Sequence, residues 1–107
     1  MKNLYGEIKL DKSQLLESNS EYMELEYYKI KNIPSLVKEE ECTYGIEVIK
    51  NEYKGGRKIS EANEIKYITK NEELVNKVIK TMKDNQVTPC CLEDTAMDYL
   101  KSQENLN

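Results

Sequence analysis

TYGIEVIKNEYKGGRKISEANEIKYIT, residues 43 to 69, reads as a β-hairpin, and the rest of the chain arranges itself around that reading. Tyr44, Ile46 and Val48 recur at every second position, the period that sends successive side chains to opposite faces of a sheet. Gly55-Gly56 supplies a turn in which positive φ carries no steric cost, and Ile59, Ile65, Tyr67 and Ile68 populate the returning strand. Lys50, Lys54, Arg57 and Lys58 cluster around the turn and make its tip basic.

Working backwards, YMELEYYKI (22–30) alternates in the same way. Met23, Leu25 and Tyr27 fall on one face, and Glu24, Glu26 and Tyr28 on the other, as in a half-buried strand. Leu4, Gly6, Ile8 and Leu10 predict a further short strand. Asp11 with Gln14 has capping-box spacing for a helical turn holding Leu15 and Leu16, which the polar stretch 17–21 ends. Pro34 and Glu39-Glu40-Glu41 mark a surface loop.

Working forwards, the period changes at Thr69 from two to about 3.6 residues, the helical value. Leu74, Val75, Val78, Ile79 and Met82 form one apolar stripe, with Thr69 or Asn71 as the cap and Asn85-Gln86 as the stop. Thr88-Pro89 then reads as an N-cap followed by proline at the first helical position, which puts Cys90 and Cys91 in the first turn of a second helix. Leu92, Ala96, Tyr99 and Leu100 give that helix its apolar stripe, while Asp94 and Asp98 face away.

Strands first and helices last define an α+β fold. The expectation is an antiparallel β-sheet of three to four strands followed by two C-terminal α-helices packed on one face. At 107 residues the chain is one small domain, with 1–20 an accessory strand and turn, 22–100 the core and 101–107 a frayed tail.

Composition narrows the chemistry. The absence of histidine removes the commonest general base, the usual partner of a Ser or Cys nucleophile, and the commonest zinc ligand. With no Trp and no Phe, eight tyrosines provide all the aromatic bulk, and each buried one needs a partner for its hydroxyl. The net charge of −4 is segregated: residues 1–49 carry six basic and ten acidic groups, 50–85 nine and six, and 86–107 one and four. That balance opposes a nucleic-acid footprint, so weak binding of nucleic acid through the basic hairpin stands as a minor alternative. The N-terminus lacks the apolar run of a signal peptide or membrane span, which implies a cytoplasmic protein without a membrane partner.

Cys90 and Cys91 are candidate reactive thiols, because a helix N-terminus favours a thiolate. Glu93 and Asp94 oppose it, and the adjacent spacing is not that of a redox Cys-x-x-Cys site. A metal site built from Cys42, Cys90 and Cys91 would lack a fourth ligand, so neither a metal nor another cofactor is expected. Asp94 and Asp98 read as a solvated helix face relieved by Lys101. The tyrosines carry the stronger signal: Tyr27 and Tyr28 must point to opposite sheet faces, so one set is left for a partner. Tyr28, Tyr44 and Tyr53, with Lys50, Lys54, Arg57 and Lys58, are the candidate protein-binding residues.

Three segments together resemble a family of small uncharacterised proteins of clostridia and related Gram-positive bacteria, a domain of unknown function. They are Tyr27-Tyr28, Tyr44-Gly45-Ile46, and the closing Val-x-Pro-x-x-Leu-x-Asp pattern of Val87, Pro89, Leu92 and Asp94. The resemblance covers about residues 22–100 and departs from the pattern at Cys91, where a histidine is expected. It implies a self-contained bacterial domain and imports no activity.

The function expected from the residues is a non-enzymatic regulatory or inhibitory module, in a bacterial or phage context, that binds an unidentified protein partner. A phage-encoded inhibitor of a host defence nuclease is a narrower version, and a thiol-based redox sensor or enzyme at Cys90-Cys91 is the competing class. No motif specifies an oligomeric state.

Overall fold

The computed structural model describes residues 1–11, 15, 21–34 and 42–104. Strands β1 (Lys2–Asp11), β2 (Tyr22–Asn32), β3 (Thr43–Lys54) and β4 (Arg57–Thr69) form one antiparallel sheet in the order β1-β2-β3-β4. Helix α1 (Glu72–Asp84) follows, then a 3-10 turn (Pro89–Cys91) that runs directly into helix α2 (Leu92–Glu104). This is the expected α+β arrangement, with four strands in sequential order. The capping box at Asp11–Gln14 with Leu16, and the loop at Glu39–Glu41, lie wholly or partly outside the described residues.

β1 and β2 outrun their predictions, because polar residues extend the ladder beyond the apolar pattern that signals it, whereas the hairpin of β3 and β4 falls within the expected residues 43–69. Residues 2–11 are a full edge strand. The N-terminal ammonium continues the pairing by donating to the Lys31 carbonyl at 3.0 Å, and the Lys31 amide donates back to the Met1 carbonyl at 2.8 Å. At the other end, the tail expected from residue 101 is helical as far as Glu104.

Alternation sorts the sheet into two faces. On one, Leu25, Tyr27, Ile46 and Val48 pack against Val75, Val78, Ile79 and Met82 of α1 and Leu92 and Ala96 of α2, with Cys42 and Val87 in the same cluster. Tyr27 is fully buried, and its phenol donates to the Val87 carbonyl at 2.9 Å. Burial pushes that phenol's pKa up to about 12, so it remains a proton donor at neutral pH. Lys29, also on this face, donates to Glu72 at 2.8 Å and to Asn76 at 3.1 Å, tying β2 to the first turns of α1.

Helix α1 is capped by Asn71 rather than Thr69. The Asn71 side-chain oxygen Oδ1 accepts from the Leu74 backbone amide at 3.2 Å, and the Thr69 hydroxyl accepts from the Asn71 backbone amide at 3.0 Å. Asn85 closes the helix, and Gln86 takes a left-handed conformation at φ 52° to reverse the chain. Thr88 occupies the N-cap position before Pro89, yet its side chain makes no capping bond. The first turn after it is 3-10, so α2 begins three residues later than proline spacing implies.

Both edge strands are irregular. Tyr5 is an extra residue in β1, between the pairs Leu4↔Tyr28 and Gly6↔Tyr27. In β4, residues 66–68 bulge opposite Gly45, between Tyr44↔Thr69 and Ile46↔Ile65. The β4 bulge lies over Gly45 so closely that a Cβ there would collide with the backbone of Ile65 and Lys66. The Lys66 carbonyl also accepts from the Asn32 amide nitrogen on β2 at 2.8 Å, so the end of β4 folds over the sheet.

Two substitutions test this packing. Gly45→Ala forces the β4 backbone away, and urea unfolding is expected to show a loss of about 1–3 kcal/mol, the range for overpacking. Tyr27→Phe strands the buried Val87 carbonyl and is expected to cost about 1–3 kcal/mol in the same assay. A change within about 0.5 kcal/mol, the size expected of surface substitutions, would contradict either contact.

Candidate functional site

Two clusters qualify. The first is the sheet face opposite the helices. By register it carries Tyr22, Glu24, Glu26 and Tyr28 from β2, Glu47, Asn51 and Tyr53 from β3, and Lys58, Ser60 and Glu64 from β4. Glu7 and Asp11 of β1 join it, as do Lys2 and Lys9. Carboxylates therefore outnumber ammonium groups two to one, and the face is acidic.

A chain of hydrogen bonds fixes its centre. The Tyr28 phenol donates to Glu26 at 2.9 Å, the Asn51 amide donates to the same carboxylate at 3.3 Å, and Ser60 donates to the Asn51 carbonyl oxygen at 2.7 Å. Asn51 is buried by these partners, and each of its hydrogen-bonding groups is used. Tyr53 donates to Glu24 at 3.4 Å, and its ring lies 5.6 Å from that of Tyr22 at 47°. Hydrogen bonding to Glu26, and secondarily partial burial and the nearby carboxylates, holds the Tyr28 phenol above its usual pKa.

Glu47 and Glu64 stand directly opposite each other, a repulsive pair in an isolated ladder. Lys2 resolves the conflict from β1, placing its ammonium 3.2 Å from Glu47 and 3.1 Å from Glu64. The bond to Glu64, then that to Glu47, raises the Lys2 pKa.

This arrangement corrects part of the predicted site. Tyr44 belongs to the helix side and is 7% exposed, because its register position matches Ile46 and Val48; it is a core residue. Lys50 is not at the hairpin tip. It lies on the helix side, half-buried, with its ammonium 3.0 Å from Glu52 and 3.5 Å from Glu61. Lys54 also approaches Glu52, at 3.7 Å, so the tip's exposed cations reduce chiefly to Arg57 and Lys58. Tyr28 and Tyr53 stay on the uncovered face. Sequence reasoning missed Tyr22, Asn51 and Lys2: Tyr22 had a signal in the period-2 pattern, whereas Asn51 and Lys2 act through cross-strand neighbours that no local pattern reveals.

The second cluster is the thiol turn. Cys90 and Cys91 are both exposed, with their sulfurs 3.8 Å apart. Thr88, freed from capping, sets its hydroxyl 3.3 Å from the Cys90 sulfur. The turn is held at both ends, by Tyr27 on the Val87 carbonyl and by the Asn63 amide donating to the Pro89 carbonyl at 3.2 Å. The Thr88 hydroxyl and then the Cys91 thiol draw the Cys90 pKa below the ordinary thiol value, and the Lys50 ammonium adds to this against burial and Glu61. A basic group thus acts on Cys90 after all, one supplied by β3 rather than by a sequence neighbour. Lys50 itself would lose basicity through burial, but Glu52 and Glu61 outweigh that and raise its pKa.

With both clusters described, a comparison with known proteins places the chain. The model of a family of unknown function (DUF6514) matches residues 7–102. The chain belongs to the DUF6514 family. No curated protein and no solved structure matches it. The span shared with DUF6514 includes Tyr22, Tyr28, Tyr53, Cys90 and Cys91, and it begins after Lys2. Among the described residues of this DUF6514 chain, no helix is long and apolar enough to cross a membrane.

The thiol turn yields a kinetic expectation. A lowered pKa means that thiolate forms at lower pH, so Cys90 should alkylate with iodoacetamide at a lower pH midpoint than the thiol of an unstructured cysteine peptide. Thr88→Val and Lys50→Met should each move the Cys90 midpoint up. Identical pH profiles for Cys90 and the unstructured peptide, read by mass spectrometry, would contradict the assignment.

Proposed function

We propose that this chain is a non-enzymatic regulatory module of the bacterial cytoplasm. It acts by binding a protein with a basic surface, and the uncovered sheet face is its docking site. One observation carries the reading: the face left free by the helices is an acidic platform on which Glu26, braced by Asn51, holds Tyr28, Glu24 holds Tyr53, and Tyr22 packs against the Tyr53 ring. Tyrosine offers large contact area at small entropic cost, and fixing the side chains beforehand lowers the cost of association. The excess of carboxylates selects the partner's sign, because desolvating like charges against each other is costly while complementary charge steers encounter.

Charge also argues against nucleic acid as the target. A phosphate backbone would meet carboxylates over most of this face, and the cations at the hairpin tip are few. The inhibitor version, in which the partner is a host defence nuclease, is consistent with the same platform, since many such enzymes present basic substrate channels.

The test is capture from a native lysate treated with nuclease, comparing the wild-type chain with a Tyr22→Ser/Tyr28→Ser/Tyr53→Ser variant and with Glu24→Gln/Glu26→Gln, each checked for folding by its thermal melt. The expected result is a basic partner retained by the wild type, released by salt, and lost from both face variants. Retention of the same partner by both folded variants would overturn the proposal.

A further inference from the structure

The thiol turn supports a second assignment, independent of the acidic face. The separation of its sulfurs, 3.8 Å, discriminates between the two reactions open to neighbouring thiols. A disulfide requires sulfurs about 2.05 Å apart and Cα atoms about 4.4–6.8 Å apart. Adjacent residues place their Cα atoms only about 3.8 Å apart across a trans peptide, so closing that bond would distort the turn. Metal chelation requires no such movement. Two metal–sulfur bonds of about 2.3 Å that span the observed 3.8 Å enclose about 111°, close to the tetrahedral angle.

We propose that Cys90 and Cys91 form a bidentate dithiolate site for a soft divalent cation of the zinc and cadmium class, leaving two tetrahedral positions to solvent or to ligands from another molecule. Preorganisation supports it. The sulfurs are already at chelating distance on a turn anchored by Tyr27 and Asn63, and Thr88 holds the Cys90 sulfur in place. As each sulfur–metal bond forms, that thiol releases its proton, so one cation displaces two protons and no electrons move.

The site differs from the three-cysteine arrangement weighed on sequence. Cys42 is 1% exposed within the core, and among the described residues no cluster of three or more Cys, Asp or Glu side chains could hold a metal. A two-ligand chelate is the consequence, weaker than a closed structural zinc site and open to exchange.

Titration of the reduced full chain with Cd²⁺ tests this directly, following the ultraviolet thiolate-to-metal band and proton release. Saturation is expected at one ion per chain, with about two protons released. Cys90→Ser and Cys91→Ser should each weaken binding by roughly tenfold or more, since each removes one of two ligands. The double variant should lose the band, and Cys42→Ala, if folded by circular dichroism, should retain it. Absence of the band in the wild type, or its survival in the double variant, would overturn the proposal. Should Cys42→Ala fail to fold, protection of Cys90 and Cys91 from alkylation by Cd²⁺ in the wild type gives the same decision.

Discussion

The hydrogen bond from the Tyr27 phenol to the Val87 carbonyl is the contact on which the rest of the arrangement depends. It begins in the middle of β2, crosses the apolar core, and ends in the connection between the two helices. A phenol buried there without an acceptor would be costly, so the position of the connection is coupled to the inner face of the sheet. Because Val87 is fixed, Thr88 through Cys91 are fixed as well, and the thiol turn lies against β3 and β4, where Lys50 and Asn63 act on it. Asn63 gives that connection a second anchor, independent of the first.

Burial of one sheet face leaves the other to solve its own problem. It carries five glutamates, four of them in two directly opposed pairs, Glu7 with Glu26 and Glu47 with Glu64, and no helix to cover them. The structure answers with Lys2 between Glu47 and Glu64, and with tyrosine and asparagine donors on Glu24 and Glu26. Surface ion pairs contribute little stability by themselves. Their effect here is geometric: they hold polar side chains in fixed positions on a rigid sheet. The bulges at Tyr5 and at residues 66–68 interrupt the two open edges, which discourages edge-to-edge pairing and leaves the face as the more suitable surface for recognition.

Much of this was legible in the sequence because it is written in local periods. The strand cores, the turn at Gly55-Gly56, the stripe from Val75 to Met82 and the α+β order all follow from alternation of two or 3.6 residues. What the sequence hid is non-local. Tyr44 reads as a surface candidate because alternation fixes which residues share a face without saying which face the helices cover. Lys50 neighbours the tip cations along the chain but not in space; its partners are Glu52 and Glu61, and it acts on a cysteine forty residues away. Thr88 looked like a helix cap by composition, and the 3-10 geometry after it turns its hydroxyl to sulfur instead.

The central claim is that function resides on the uncovered face. Hydroxyl-radical footprinting of the chain alone, and then in complex with a protein recovered by the proposed capture, addresses this side chain by side chain, since Tyr, Met and Cys all report. The account predicts that Tyr22, Tyr28 and Tyr53 are oxidised in the free chain and protected in the complex, while Met97 and Cys90 change little. Protection centred on Met97, or on the thiol turn, with Tyr22, Tyr28 and Tyr53 unchanged, would contradict it.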